Sequence, residues 1–352
     1  MNNKIIDSIL NKSITTLAII GMEKNTGKTV TLNTVISEAM NKDLRLALLS
    51  YGRDGEEVDA ITRHKKPRVY IPPRTLFLTT SEAANKSEIT TKLVKELEYR
   101  TTMGRVGIYE SGDYGGNCEL VGINSANQIY QVKKQLENQI DLLLIDGALD
   151  RKSSAMPSLS EGFVLATGAN IANTEELVAK KTIIEIDKLT TPEINDEALQ
   201  VKASQLLENG HTGVITKTGE VVKLAEGCSF SEYDSICSYI YRNKESFHTL
   251  VINGAIVDNL VEKLLYSVKL DHGNIIVKDG TKIFLKERTK NLLQLRNISL
   301  QVYNSLELVA VTVNPWSSDG TYLNSQLIID HLKEDLSVPV YDLLSSEYKN
   351  QT

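Results

Sequence analysis

Residues Ile19 to Asn33 read "IIGMEKNTGKTVTLN", and the reading of this stretch decides the fold. An apolar run, "TLAII" (Thr16 to Ile20), leads into a polar turn, and Gly-Lys-Thr stands where a helical pattern begins. In that pattern, "TVTLNTVISEAMNK" (Thr29 to Lys42), Val30, Leu32, Val35, Ile36 and Met40 recur at helical spacing and are expected on one buried face. "LRLALLS" (Leu44 to Ser50) follows as a second strand. A strand–helix–strand unit implies a parallel sheet with a right-handed crossover.

A turn of this kind exposes backbone N–H groups at a helix N-terminus, and with the helix dipole they form an anion site. Gly27 would let the backbone approach phosphates, Asn25 and Thr26 would contribute loop amides, and Lys28 would supply a point charge as an exposed loop side chain. Thr29 would ligate Mg²⁺. Gly21, Lys24 and Val30 complete the loop positions expected around the cofactor. Lys24 has two readings, a second loop lysine of the kind found in some dimeric nucleotide switches or an exposed loop charge. The usual phosphate-loop pattern has four residues between its two glycines. Here five separate Gly21 from Gly27, and Met22 stands where glycine is wanted. The strand before and the helix after supply the context that the pattern needs; the competing reading is an incidental Gly-Lys-Thr helix start.

Magnesium on a nucleotide calls for a carboxylate at the end of a neighbouring apolar strand. "LLLIDGALD" provides Asp146, followed by Gly147. Alone, a strand-end aspartate is a turn former; beside the loop it reads as the metal-side carboxylate. Asp150 and Arg151 lie just beyond. After the second strand, "SYGRDGEEVD" offers Asp54 to orient water and Arg53 to meet phosphate, or else a polar turn closed by Gly52 and Gly55. Lys28, Asp146 and Asp54 are thus the expected catalytic set, with Thr29 and Asp146 on the metal. "FVLATGAN" and "AVTVNPWSSDG" end on the same sheet edge, where ligands of such sheets bind. Thr167, Asn314 and Trp316 are therefore candidates for base or substrate contact, with packing as the other reading of Trp316.

The remaining sequence sets bounds. The 352 residues are 41% hydrophobic and 24% charged, with net charge −6, which gives no reason to expect nucleic acid or an anionic membrane as partner. Cys118, Cys228 and Cys237 lack zinc spacing and read as free thiols in a reducing compartment. The five histidines are dispersed, and no GxSxG appears. The N-terminus has no secretory pattern and no run approaches a membrane span, so the expected location is the cytoplasm.

Further along, "SEAANKSEITTKLVKELEYR" (Ser81 to Arg100) reads as a helix, and "GRVGIYES" and "CELVG" as a hairpin around "GDYGGN". "GFVLATG" is a strand feeding a helix capped by Asn173. "TGVITKTGEVVKL" reads as a hairpin, "TLVINGAI" as a strand entering a helix, and Asp279-Gly280 as a turn between two β-runs. "LELVAVTVNP", a helix around "NSQLIIDHLKEDL" and the strand "VPVYDL" close the chain. The expected fold class is α/β, a doubly wound and mostly parallel sheet. It forms a single domain over 1–352 with β-rich insertions at roughly 60–130 and 211–290.

The spacing in "GMEKNTGKTV" resembles the phosphate loop of dethiobiotin synthetase and its relatives, which implies the P-loop NTPase type of this fold and ATP (or GTP) with Mg²⁺ as cofactors. More narrowly, "GMEKNTGKTVTLN", "SYGRDGEEVD", "CELVG", "LLLIDGALDRKSS" and "LVINGAIVDNL" resemble the reactivase subunits of lysine 5,6-aminomutase. That resemblance implies an ATPase partnered with a second ATPase reactivase subunit. Together they would act on a mutase that uses adenosylcobalamin and pyridoxal phosphate, and nucleotide-driven loop movement would release damaged cobalamin. Two other readings stand beside it: an ATP-dependent ligase of the dethiobiotin synthetase type, and a nucleotide-binding scaffold without turnover.

Overall fold

The computed structural model describes residues 4–51, 69–101, 104–123, 125–147, 157 and 159–345. The chain divides into two compact units, Met1–Ile183 with Glu307–Thr352, and Ile184–Leu306. The stretch read as an insertion at 211–290 lies inside the second unit.

The first unit is α/β. In chain order it contains α1 (Ile5–Asn11), β1 (Thr16–Gly21), α2 (Lys28–Met40), β2 (Leu46–Ser50), β3 (Val69–Ile71), β4 (Leu76–Thr80) and α3 (Ser81–Asn85). It continues through β5 (Thr91–Thr101), β6 (Gly104–Ser111), β7 (Gly116–Cys118), α4 (Ala126–Leu136), β8 (Leu142–Asp146), β9 (Gly162–Gly168) and the start of α5 (Glu175–Leu189). Nine strands form one sheet in the order β18-β17-β9-β1-β8-β2-β4-β6-β5, where β17 is Glu307–Asn314 and β18 is Val340–Tyr341. From β18 to β4 all neighbours are parallel; β6 runs antiparallel to β4 and β5. Every residue of β1, β2, β8 and β9 is buried, which is why these strands read as unbroken apolar runs rather than alternating ones.

Chain order reverses direction at β1. The chain leaves it for β2 on one side, returns to place β8 between them, and then crosses to β9 on the other side. Leu17 and Ile19 of β1, Leu46 and Leu48 of β2 and Leu142 and Leu144 of β8 share a core with Leu32, Val35, Ile36 and Ala39 of α2. Val30 and Met40, expected on that face, are each 38% exposed. The four buried positions recur at 3–4 residue steps, and Val30 lies across the helix from Leu32.

The insertion before α4 departs from the sequence reading. Only Ser81–Asn85 of the expected long helix is helical, capped by Thr80, whose hydroxyl accepts from Ala83 N–H at 3.2 Å. Ser87 ends it by donating to the carbonyls of Ala84 and Ile89. Thr91–Thr101 is instead an edge strand exposed along most of its length, so its charges carry no two-residue apolar alternation and mimic a solvated helix. The expected hairpin also fails: β6 pairs with β4 and β5, whereas β7 pairs with β3. On α5, the Thr174 hydroxyl accepts from Leu177 N–H, the role expected of Asn173.

In the second unit, α6 (Glu197–Glu208), β10 (His211–Thr216), β11 (Val221–Glu226), α7 (Tyr233–Arg242), β12 (Phe247–Ile252), β13 (Ile256–Val257), α8 (Asp258–Glu262), β14 (Gly273–Val277), β15 (Ile283–Phe284), α9 (Glu287–Leu295) and β16 (Ile298–Val302) follow in order. A five-stranded sheet runs β11-β10-β12-β14-β16, with β12, β14 and β16 parallel and β10–β11 the expected hairpin. Val214, Leu250, Ile252, Ile275 and Val277 pack against α7, α8 and α9, and the alternate residues Ile215, Val251 and Ile276 against α6. Asp279-Gly280 does make a turn, but not a hairpin: β15 pairs with β13 rather than with β14. The chain closes in the first unit with β17, α10 (Ser325–Asp335) and β18. Among the described residues, no helix is long and apolar enough to cross a membrane.

Candidate functional site

The loop between β1 and α2 sits at the carboxyl end of the sheet, at the point where strand order reverses. Ligands of open α/β sheets bind in that crevice. The loop is anchored at its start, where Met22 N–H donates to the Ala166 carbonyl of β9 at 2.9 Å. Thr26 donates its hydroxyl to the Glu23 carbonyl at 2.9 Å, and a Cβ on Gly21 would lie 2.9 Å from that hydroxyl, so position 21 has no room for a side chain. Asn25 (φ 62°) and Gly27 (φ 88°) both adopt left-handed backbone. Gly27 is the N-cap of α2. No side chain caps the helix, and its first turn holds no acidic residue. Its leading amides are therefore not satisfied by the helix's own side chains.

Two carboxamides hold the loop from behind. Asn314, at the end of β17, donates Nδ2 to the Asn25 carbonyl at 2.7 Å, and Asn170, just past β9, donates to the same oxygen at 3.1 Å. Asn170 Oδ1 in turn accepts from the Ser317 and Ser318 hydroxyls and from Ser318 N–H. Gly168 makes this closeness possible, since a Cβ there would lie 2.0 Å from the Asn314 carbonyl oxygen. Asn314 is thus a support of the loop. Asn170 belongs with it and was missed by the sequence reading, although "FVLATGAN" ends on it.

Lys28 does not extend into solvent. Its Nζ lies 2.8 Å from Asp146 Oδ1, with the two side chains 18% and 3% exposed. The contact is an ion pair by distance and lacks the angular geometry of a hydrogen bond. β8 lies directly beside β1, with Ile19 opposite Asp146, and this register brings the carboxylate to the loop. On the other side of β8, Ser50 is opposite Asp146, and Tyr51 N–H donates to the Asp146 carbonyl at 3.0 Å. Ser50 is 1% exposed, and its hydroxyl has no hydrogen-bond partner among the described residues.

The other expected positions separate clearly. Thr29 is half-buried on the first turn of α2 and Lys24 is exposed on the loop. Val30 borders a cleft of about 40 Å³ beside Thr26 and Gly27, far below the size of a nucleotide pocket. Thr167 is fully buried, and its hydroxyl lies 2.7 Å from that of Thr182, so it packs inside rather than facing a ligand. Trp316 is half exposed and packs against Tyr322 with the rings tilted, centroids 4.8 Å apart. Asp54, Arg53, Asp150 and Arg151 lie outside the described residues.

Among the described residues, no three His, Cys, Asp or Glu side chains cluster as a metal cage. A Mg²⁺ ion bound mainly through phosphates and water needs only one or two protein ligands, and Asp146 and Thr29 suit that role. None of the three cysteines is in a disulfide; burial pushes the thiols of Cys228 and Cys237 up to about 12 and about 11, which keeps those two protonated near neutral pH. Comparison with protein-family models, with curated proteins and with solved structures finds no match.

Proposed function

We propose that the chain is a P-loop nucleoside triphosphatase that binds ATP or GTP with Mg²⁺. One observation carries this reading: Lys28, at the first position of a helix whose N-cap is a left-handed glycine, faces a buried carboxylate on the adjacent parallel strand. Without an anion, that carboxylate neutralises the ammonium. A triphosphate on the loop amides would draw Lys28 to its β- and γ-phosphates and free Asp146 for the metal that accompanies them.

The narrower proposal is an accessory ATPase that works with a second ATPase subunit to reactivate a cobalamin-dependent lysine 5,6-aminomutase. Its support is the resemblance of five stretches spread along the chain. Of these, "GMEKNTGKTVTLN", "CELVG" and "LVINGAIVDNL" lie wholly among the described residues. "CELVG" has a structural part here: a Cβ on Gly122 would lie 2.0 Å from the Ser50 carbonyl oxygen, and Ile123 N–H donates to that oxygen, which ties the insertion to the strand end beside Asp146.

The test is turnover of ATP by the purified chain with and without inactivated aminomutase holoenzyme. Stimulation by the inactive mutase supports the accessory role. Turnover that requires a small carboxylic acid or amine points to a ligase, and binding without turnover under every condition points to a scaffold. Asp146→Asn is expected to retain part of the nucleotide affinity and lose Mg²⁺-dependent turnover; turnover at the parent rate removes Asp146 from the metal side.

A further inference from the structure

Buried hydroxyls in folded proteins have hydrogen-bond partners, and an exception calls for an explanation such as a bound water or ion. Ser50 is such an exception among the described residues. It ends β2, is 1% exposed, and stands opposite Asp146 in parallel register. Register partners on adjacent parallel strands lie about 5 Å apart and project to the same face. That face is the α2 side, because Leu46 and Leu48 of β2 pack there with Leu32 and Val35 of α2. The hydroxyl therefore shares the side of the sheet on which Lys28 meets Asp146.

Packing alone does not ask for an oxygen at this position. The contact of Gly122 is with the Ser50 carbonyl and Cβ, which an alanine would preserve. Tyr51 N–H already satisfies the Asp146 carbonyl, so the Ser50 hydroxyl is not needed to complete the ladder.

We infer that Ser50 is a positioning residue of the metal site, its hydroxyl bonding a water on the divalent cation that Asp146 and Thr29 hold with a nucleotide. The inference rests on the nucleotide-binding reading and adds to it the end of β2. It also gives the junction of β2 with the Val121–Ile123 segment a route to the metal, since that segment fixes the Ser50 backbone.

The experiment uses the full chain and Ser50→Ala, with ADP, and with Mn²⁺ as a paramagnetic substitute for Mg²⁺. Three quantities are measured: ADP affinity in EDTA, Mn²⁺ affinity in the presence of ADP, and the urea midpoint. Loss of one water-mediated hydrogen bond is expected to weaken Mn²⁺ binding about three- to tenfold. ADP affinity in EDTA should be unchanged, and the urea midpoint no lower than that of the parent. Mn²⁺ affinity within about twofold of the parent, or an equal fall in metal-free ADP affinity, overturns the role of Ser50 and leaves the nucleotide site standing. A parent chain that binds neither ADP nor GDP in the presence of Mn²⁺ overturns the nucleotide reading, and this inference with it.

Discussion

Each unit of the chain has parallel strands whose carboxyl ends carry polar loops, and the two ends are built differently. In the first unit, strand order reverses at β1, the kind of switch point beside which ligands of open α/β sheets bind. In the second, β12, β14 and β16 follow one another in one direction, and no reversal opens between them. The helices differ in the same sense. α2 begins at Gly27 with no acid in its first turn, whereas α8 begins with Asp258, whose carboxylate accepts from the Lys286 N–H at the start of α9. The strand-end aspartates differ too. Asp146 meets a lysine from another element, while Asp279 accepts from the N–H of Thr281, two residues away, and closes a local turn. A carboxylate at a strand end is a turn former by default, and what sets Asp146 apart is the uncapped helix and the lysine next door.

The largest expected effect that would break this contrast is at Lys28. The sequence reading treats it as an exposed loop lysine; the 2.8 Å pair with a 3% exposed carboxylate corrects that. Lys28→Ala is expected to lower ATP affinity by at least about 100-fold, roughly 3 kcal/mol. It should also lower unfolding free energy by about 2–3 kcal/mol, because the buried Asp146 carboxylate loses the ammonium 2.8 Å from it. Adding Asp146→Asn should restore most of the stability and none of the binding. Calorimetric titration with ATP and urea unfolding on the three variants check this. A Lys28→Ala chain with parent affinity would make the two units equivalent.

Next in size is a pair of glycines, one in each unit. A Cβ on Gly122 would lie 2.0 Å from the Ser50 carbonyl oxygen, and one on Gly280 would lie 2.2 Å from the Lys188 carbonyl oxygen. Neither backbone neighbour can turn aside as a side chain does, so each alanine variant is expected to cost about 2–4 kcal/mol of stability. Only Gly122→Ala should also weaken nucleotide binding, because it moves the strand end beside Asp146. Equal binding losses in both variants would show that the effect is global rather than local to the site.

Much of the first unit was legible because a parallel strand buried on both faces writes an unbroken apolar run, and "TLAII", "LRLALLS", "LLLIDG" and "GFVLATG" are such runs. The loop was legible from Gly-Lys-Thr at the join. Strand order was not, since nothing in "LLLIDG" states that it returns between β1 and β2, and the pairing of Lys28 with Asp146 follows from that return. Ser50 and Asn170 were missed for the same reason: one acts through the register of a distant strand, the other by reaching back to the Asn25 carbonyl. The edge strand β5 misled because it is exposed and charged, so neither period is written in it.

The smallest effect tests the second unit's own helix start. Burial raises the Asp258 carboxyl's affinity for its proton, but hydrogen bonds from Thr289 and from the Lys286 N–H, the latter at 3.0 Å, outweigh it and hold the group below the usual aspartate range. A carboxyl that titrates lower when folded than when unfolded contributes stability that is fully present above its unfolded value. The contribution fades as pH falls through the folded value. Asp258→Asn is therefore expected to reduce stability by about 0.5–1 kcal/mol near neutral pH. The deficit should shrink as pH drops below about 4, and the substitution should leave ATP affinity unchanged. Urea unfolding of parent and variant at a series of pH values reads the difference. If the deficit persists undiminished in acid, the asparagine variant has lost shape rather than charge, and the charge of the carboxylate is not what ties Asp258 to the start of α9.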